Sequence, residues 1–83
     1  MKPEPVVTLY TRSGCHLCEE ARKALKAARR RAPFALEVFD IDQDAALRAR
    51  YDDQVPVICI NGRKTFKYHL NEDEFLKKLA ART

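Results

Sequence analysis

The sequence lacks any apolar run of about 20 residues, the length that a helix needs to span a bilayer. Residues 1–5 carry a lysine, a glutamate and two prolines, and they lack the apolar core of a secretory signal peptide. We therefore expect a cytoplasmic protein with no membrane partner. Because cytoplasmic thiols are kept reduced, a pair of cysteines there is more plausibly a reactive pair than a structural disulfide.

The sequence also lacks a strong excess of charge of either sign. Sixteen Lys and Arg against twelve Asp and Glu give a formal net charge of +4, a mild bias toward anionic partners. The densest basic run, Arg29-Arg30-Arg31, falls near the end of a predicted helix, where cations complement the helix dipole. No aromatic residue interleaves it. We interpret this run as a solvated helix end and expect no nucleic-acid partner.

The length of 83 residues suits one small domain with a modest core. No internal repeat or linker divides the chain. We expect residues 1–83 to form a single monomeric domain in which residues 1–4 are flexible.

Two of the three cysteines form a Cys-x-x-Cys pair between a predicted strand and a predicted helix. Residues 6–10 are apolar and β-branched, whereas residues 16–31 repeat small and apolar side chains at helical spacing. Cys15 and Cys18 thus stand at a helix N-terminus, where unpaired N–H groups and the dipole favour a thiolate. We expect Cys15 to be a nucleophile with a pKa below about 8.5, and Cys18 to be more buried.

Charged neighbours affect Cys15 in opposite directions. Glu19 and Glu20 suit the helix dipole but oppose ionisation of the thiol. A protonated His16 would stabilise the thiolate, and the alternative is that this histidine is simply exposed to solvent. Cys59 lies in an apolar run, and we interpret it as an inert core cysteine.

A metal site is another use of a cysteine pair. A closed zinc site needs two further ligands, and only Cys59, His16 and His69 remain, with no second paired knuckle. We therefore favour a redox pair without a metal. Two alternatives stay open: a carrier of a metal or iron–sulfur cluster through Cys15 and Cys18, and a non-catalytic module that binds a partner.

The middle of the chain predicts a second strand and a short helix. Residues 34–41 mix apolar and acidic side chains, which suits a strand at the edge of a sheet. Asp42 is a good N-cap for a helix over residues 43–51.

The remaining pattern predicts a hairpin and a last helix. Asn61-Gly62 between two β-rich runs is typical of a two-residue hairpin turn. Asn71 can cap a helix whose apolar face holds Phe75 and Leu79. The order β-α-β-α-β-β-α predicts an α/β fold with a four-stranded mixed sheet and helices on both faces.

These features together resemble the glutaredoxins, the minimal form of the thioredoxin fold. The likeness runs from Val6 to Leu79 and is carried by residues 9–19, 39–42 and 55–57, by the hairpin and by the last helix. It is greatest to the small bacterial glutaredoxin-like proteins. The resemblance implies a thiol–disulfide oxidoreductase that acts on disulfides of proteins or of glutathione, with glutathione as a candidate reductant and no bound cofactor.

The resemblance also implies roles for five residues. Cys15 matches the attacking cysteine and Cys18 the resolving one. Pro56 matches a proline in the cis form that faces the pair, and the Val55 backbone matches the segment that pairs with a bound peptide or glutathione. Arg12 matches a basic residue that holds a glutathione carboxylate.

The chain departs from the glutaredoxin pattern near this site. Gln54 stands where threonine is common, and residues 67–71 replace the Gly-Gly and polar pair that line the glutathione site. A protein disulfide, with another electron donor, is therefore the alternative to glutathione.

Overall fold

The computed structural model describes residues 4–81. Its elements are, in chain order, β1 (Val6–Thr11), α1 (His16–Arg31), β2 (Ala35–Asp40), a 3₁₀ turn (Ile41–Gln43), α2 (Ala45–Tyr51), β3 (Val57–Ile60), β4 (Arg63–Lys67) and α3 (Glu72–Ala81). This order confirms the predicted succession of strands and helices. The expectation that residues 1–4 are flexible falls, apart from Glu4, outside the described residues. Across the described range, no helix is long and apolar enough to cross a membrane.

The four strands form one mixed sheet in the order β2-β1-β3-β4. β1 runs parallel to β2 and antiparallel to β3, and β2 lies at an edge as predicted. β3 and β4 form the predicted hairpin, in which Asn61 and Gly62 have φ angles of 50° and 83°. Asn and Gly both tolerate this left-handed conformation, so the turn follows directly from the local sequence.

Each face of the sheet packs against helices. The larger core lies on the side of α1 and α3 and contains Val7, Leu9, Ala21, Leu25, Ala28, Phe34, Ile58, Ile60, Phe75 and Leu79. The smaller core, on the side of α2, contains Ile41, Tyr51, Val57 and Cys59. Successive residues of β3 therefore alternate between two cores, which is why this strand is apolar throughout.

The start of α3 is fixed by a cap and by an ion pair. Asn71 Oδ1 accepts a hydrogen bond from the Glu74 N–H at 3.0 Å, which confirms the predicted cap. Arg31, at the end of α1, pairs with Glu72 at 2.8 Å and with Asp73 at 3.0 Å. The last residue of the basic run thus joins two helices, whereas we had expected the whole run to be solvated.

The predicted N-cap of the second helix was wrong. α2 begins two residues later than expected and is capped by Asp44, whose Oδ1 accepts from the N–H groups of Ala46 at 2.9 Å and Leu47 at 3.2 Å. Asp40 caps the preceding 3₁₀ turn by accepting from the Asp42 N–H at 2.9 Å. The carboxylate of Asp42 is therefore released for a long-range contact.

Candidate redox site

The loop from β1 to α1 brings Cys15 to the N-cap position of the helix. Gly14 has a φ of 76°, a conformation that glycine adopts without strain. Cys15 is extended, and its Sγ accepts a hydrogen bond from the Cys18 N–H at 3.2 Å. An N–H group of the first helical turn is thus aimed at this sulfur, as the position at the helix N-terminus predicts.

The two sulfurs are bonded to each other in the structure. Cys15 and Cys18 form a disulfide with their Cα atoms 5.2 Å apart. Cys18 is only 2% exposed, whereas Cys15 is half-buried. A partner therefore reaches the Cys15 sulfur first, and the Cys18 sulfur lies behind it. This difference in burial confirms the expectation from the apolar stripe of α1.

Pro56 lies beside the loop that carries the cysteines. The Val55–Pro56 peptide bond is cis, as the family resemblance implies. The antiparallel register of β1 and β3 ends at Tyr10 and Val57, so Pro56 reaches the end of β1 from which the chain turns toward Cys15. The sheet therefore brings these two parts of the chain, 41 positions apart, to one end of the molecule.

Val55 has free backbone groups next to this proline. Within residues 4–81, no hydrogen bond involves its N–H or its carbonyl. By contrast, the carbonyl of Pro56 already accepts from the Tyr68 N–H at 2.8 Å. Unpaired backbone groups are what an added strand requires, so Val55 fits the predicted place for a bound peptide.

Arg12 ties three loops together at this end of the sheet. Its Nε and Nη2 donate to the Asp42 carboxylate at 3.1 and 2.7 Å. Its Nη1 donates to the Asp52 carbonyl at 2.8 Å, and Nη2 also donates to Asp52 Oδ1 at 3.0 Å. Asp42 follows β2 and Asp52 follows α2, so the guanidinium connects both segments to the loop before Cys15.

The ion pair between Arg12 and Asp42 shifts the pKa values of both groups. The Arg12 guanidinium holds the pKa of the Asp42 carboxyl below its usual value, and the same contacts raise the pKa of Arg12. Four hydrogen bonds use most of the five N–H groups of the guanidinium. Asp42 and Asp52 thus already occupy the Arg12 guanidinium, which was expected to bind the carboxylate of a ligand. Ligand binding by Arg12 stays a prediction. Sequence reasoning missed both partners because neither is near Arg12 in the chain.

His16 does not face the cysteine pair in the described residues. Its Nε2 lies 3.3 Å from Glu20 Oε1, one helical turn away, and the side chain is 85% exposed. This exposure fits the alternative of a solvent-facing residue, and an effect on the Cys15 thiolate stays a prediction. Cys59 is buried in β3, and burial raises the pKa of its thiol, which suits an inert core cysteine.

The candidate metal ligands outside the pair do not converge. Over residues 4–81, no group of three or more His, Cys, Asp or Glu side chains is placed to hold a metal ion. His16, Cys59 and His69 therefore do not complete a closed site around Cys15 and Cys18.

The fold and the site together define a thioredoxin-fold protein with a Cys-x-x-Cys pair at the start of its first helix. The family model described as "Glutaredoxin-like domain (DUF836)" matches residues 6–80. The chain therefore belongs to the glutaredoxin-like family, as its sequence pattern predicts.

Solved structures and relatives agree with this assignment. The protein XcR50 from X. campestris is 37% identical with a TM-score of 0.77, over 90% of this chain and 96% of that one. Protein Ne2328 from Nitrosomonas europaea is 31% identical with a TM-score of 0.79, over 94% of each chain. The uncharacterized protein Rv0508 of Mycobacterium tuberculosis is 29% identical over 95% of this chain and 87% of its own length.

More distant likeness shows the fold alone. A mutant thioredoxin from Halobacterium salinarum has a TM-score of 0.72 at 17% identity, over 94% of this chain and 74% of that one. The four-stranded sheet with its helices is thus shared with thioredoxins.

Proposed function

We propose that the protein is a thiol–disulfide oxidoreductase in which Cys15 attacks a disulfide and Cys18 completes the exchange. The observation that carries this proposal is the asymmetry of the pair. Cys15 is partly exposed and its Sγ accepts an N–H of the helix, while Cys18 is buried. Membership of the glutaredoxin-like family supports the same chemistry.

The exchange balances in two steps. The Cys15 thiolate attacks a sulfur of the substrate R–S–S–R′, forms a mixed disulfide with R–S and releases R′–S⁻. The Cys18 thiolate then attacks the Cys15 sulfur, forms the Cys15–Cys18 disulfide seen here and releases R–S⁻. Two electrons pass to the substrate, and the released thiolates take up the protons that the cysteine pair loses. A thiol reductant such as glutathione, two molecules of which become one disulfide, restores the pair.

The surroundings of the pair favour an extended substrate. The free N–H and carbonyl of Val55 can each bond to the backbone of a polypeptide that lies along the site. Glutathione would find the Arg12 guanidinium already bonded to Asp42 and Asp52. A protein disulfide, or a protein joined to glutathione, is therefore the substrate that this geometry suits better than glutathione disulfide itself.

Serine substitutions test the two cysteine roles separately. We expect Cys15→Ser to abolish reduction of a disulfide-bonded peptide, because no nucleophile remains at the exposed position. We expect Cys18→Ser to accumulate a covalent adduct at Cys15, since the resolving sulfur is missing. Peptide reduction and mass spectrometry of the protein measure these outcomes, and thiolate absorbance against pH gives the pKa of Cys15.

The control for these variants is Cys59→Ala, which removes the buried third thiol and should retain reduction. Equal loss of activity in Cys15→Ser and Cys18→Ser, with no adduct in either, would contradict the assigned roles. A Cys15 pKa at or above the ordinary value of about 8.5 would remove the electrostatic argument.

A further inference from the structure

Three cations of α2 and the hairpin lie on one face of the sheet. In β4, Lys64 pairs with Cys59 and Lys67 pairs with Val57, across a register shift in β3–β4. Directly paired residues of antiparallel strands share a face, so the bulge puts both lysines on the side of the smaller core. Arg50 of α2 lies on the same side. We name Arg50, Lys64 and Lys67 the basic strip.

The basic strip has no carboxylate partner within residues 4–81. Arg50 lies over the ring of Tyr51 at 5.4 Å, and the Lys64 ammonium donates to Gln54 Oε1 at 3.1 Å. A cavity of about 240 Å³ opens between these side chains. Arg12 and Arg31 differ, because each of them holds two carboxylates. The three cations of the basic strip are therefore not engaged in ion pairs within the described residues and are available to bind the carboxylates of a partner.

Tyr68 continues this surface toward the cysteine pair. Its φ is 69°, a conformation unfavourable for a bulky residue, and its N–H is bonded to the Pro56 carbonyl. Tyr68 is 38% exposed, and the Lys67 ammonium lies 5.4 Å from the centroid of its ring. Strain kept at an exposed aromatic residue is typical of a binding surface.

We propose that the basic strip and Tyr68 bind an acidic polypeptide segment next to the disulfide of the substrate protein. This inference rests on the proposed function and names the partner of the same site. The surface is continuous with that site, since Gln54 directly precedes Val55 and Tyr68 is bonded to Pro56. A chain paired with the Val55 backbone can therefore extend onto the strip, whose charge is complementary to aspartate and glutamate.

The test compares peptides that differ only in the charge around one cysteine, which is blocked as a mixed disulfide with 2-mercaptoethanol. The strip variant carries Arg50→Gln, Lys64→Gln and Lys67→Gln. The readout is the ratio of kcat/KM for an acidic peptide to that for a neutral one. We expect this ratio to fall about tenfold in the strip variant at an ionic strength of about 0.1 M, and the wild-type preference to weaken at about 1 M salt.

A matched control removes the same charge elsewhere. Lys26→Gln, Arg29→Gln and Arg30→Gln neutralise three exposed cations of α1 for which the described structure shows no carboxylate partner. This variant should keep the wild-type ratio within about twofold at an ionic strength of about 0.1 M, because its three cations begin about 16 Å along α1 from Cys15, beyond the Debye length of about 10 Å. An equal fall in both triple variants would overturn the proposal, as would a wild-type protein that does not prefer the acidic peptide.

Binding without chemistry separates this proposal from the proposed function. An acidic peptide without cysteine should bind the double variant Cys15→Ser, Cys18→Ser more tightly than a neutral peptide does. Such binding without any disulfide reduction by the wild type would refute the proposed function alone. Reduction without charge preference would refute the acidic partner alone, and so would tighter binding of a single-stranded oligonucleotide than of the acidic peptide.

Tyr68→Gly tests the aromatic end of the surface. Glycine adopts the positive φ freely, and this relief of strain opposes the added freedom of the unfolded chain, so the melting temperature should change by only a few degrees. The kcat/KM for the acidic peptide should nevertheless fall at least about threefold, since the exposed ring is lost. An unchanged kcat/KM would exclude Tyr68 from the binding surface.

Discussion

Two arginines at opposite ends of α1 use the same chemistry for different purposes. Arg12, just before the helix, bonds to Asp42 and Asp52, and Arg31, at its end, bonds to Glu72 and Asp73. In both cases one guanidinium bonds to two carboxylates that lie at least 30 positions from the arginine in the sequence. The Arg12 side chain is 28% exposed and also holds a backbone carbonyl, whereas the Arg31 side chain is 55% exposed.

The difference between the two clusters is what they hold in place. Arg12 lies in the loop that leads to Cys15, and it bonds to Asp42 in the 3₁₀ turn and to Asp52 in the loop that leads toward Val55. Arg31 joins two helices that already pack through the larger core. Polar contacts contribute more to the positions of such surface segments than to those of two helices that share a large apolar core. We therefore infer that the first cluster positions the site and that the second adds only to helix docking.

The largest effect is expected in the core behind the Arg31 cluster. Phe75 is fully buried, and its ring lies 5.4 Å from that of Phe34 and 6.3 Å from that of Phe66. Phe75→Ala should cost about 3–5 kcal/mol of unfolding free energy, because the cavity adds to the lost burial. Chemical denaturation measures this cost.

The activity of the folded molecule should not follow this loss of stability. Phe75→Leu, which keeps most of the volume, is the variant for that measurement, since Phe75→Ala can unfold so small a domain. A fall in kcat with Phe75→Leu would contradict the separation between the Arg12 cluster, which positions the site, and the Arg31 cluster with its core, which stabilises the fold.

The sequence predicts individual features well where their determinants are local. Cys15, the Asn61-Gly62 turn and the Asn71 cap each follow from a few neighbouring residues, and the structure agrees with them. The cis isomer of the Val55–Pro56 bond was predicted from the family resemblance, because the presence of a proline alone allows both isomers.

Long-range contacts explain what could not be predicted. Asp40, Asp42 and Asp44 alternate along the chain, and each is an acceptable cap by its residue type. Only the fold shows that Asp42 is bonded to Arg12, thirty residues earlier. The same contact gives Arg12 internal partners in place of the expected ligand carboxylate, so one unseen ion pair accounts for both differences.

Replacing the two arginines compares their clusters directly. Arg12→Gln should lower kcat/KM for a peptide disulfide about tenfold or more, because small displacements of a reacting group are costly. Arg31→Gln should leave kcat/KM unchanged. Both variants should lose only a little stability, since the ion pairs are exposed. Peptide reduction and denaturation of the same samples give both quantities.

A conservative variant distinguishes positioning from charge alone. Arg12→Lys keeps the positive charge but cannot bond to Asp42 with two N–H groups while also reaching Asp52. We expect it to restore less than half of the lost activity. Full recovery with lysine would indicate that the charge of residue 12, and not its fork geometry, matters for the site.

The smallest effect concerns the acid stability that the Arg12 cluster provides. The pKa of Asp42 lies below its usual value of 3.8 in the folded protein, chiefly because Arg12 donates to its carboxylate. Above the usual value the carboxylate is ionised in both the folded and unfolded states, so the ion pair contributes in full. As the pH falls through the lowered pKa, the carboxylate takes up a proton and the contribution is lost.

The difference in unfolding free energy between wild type and Asp42→Asn should thus be constant from neutral pH to about 5 and shrink below about 4. Denaturation at low salt measures this difference, and most of its pH dependence should disappear when the same comparison is made in an Arg12→Gln background, where only the smaller effect of Arg48 remains. If most of the pH dependence persists there, another group lowers the pKa of Asp42, and the cluster does not account for the acid stability.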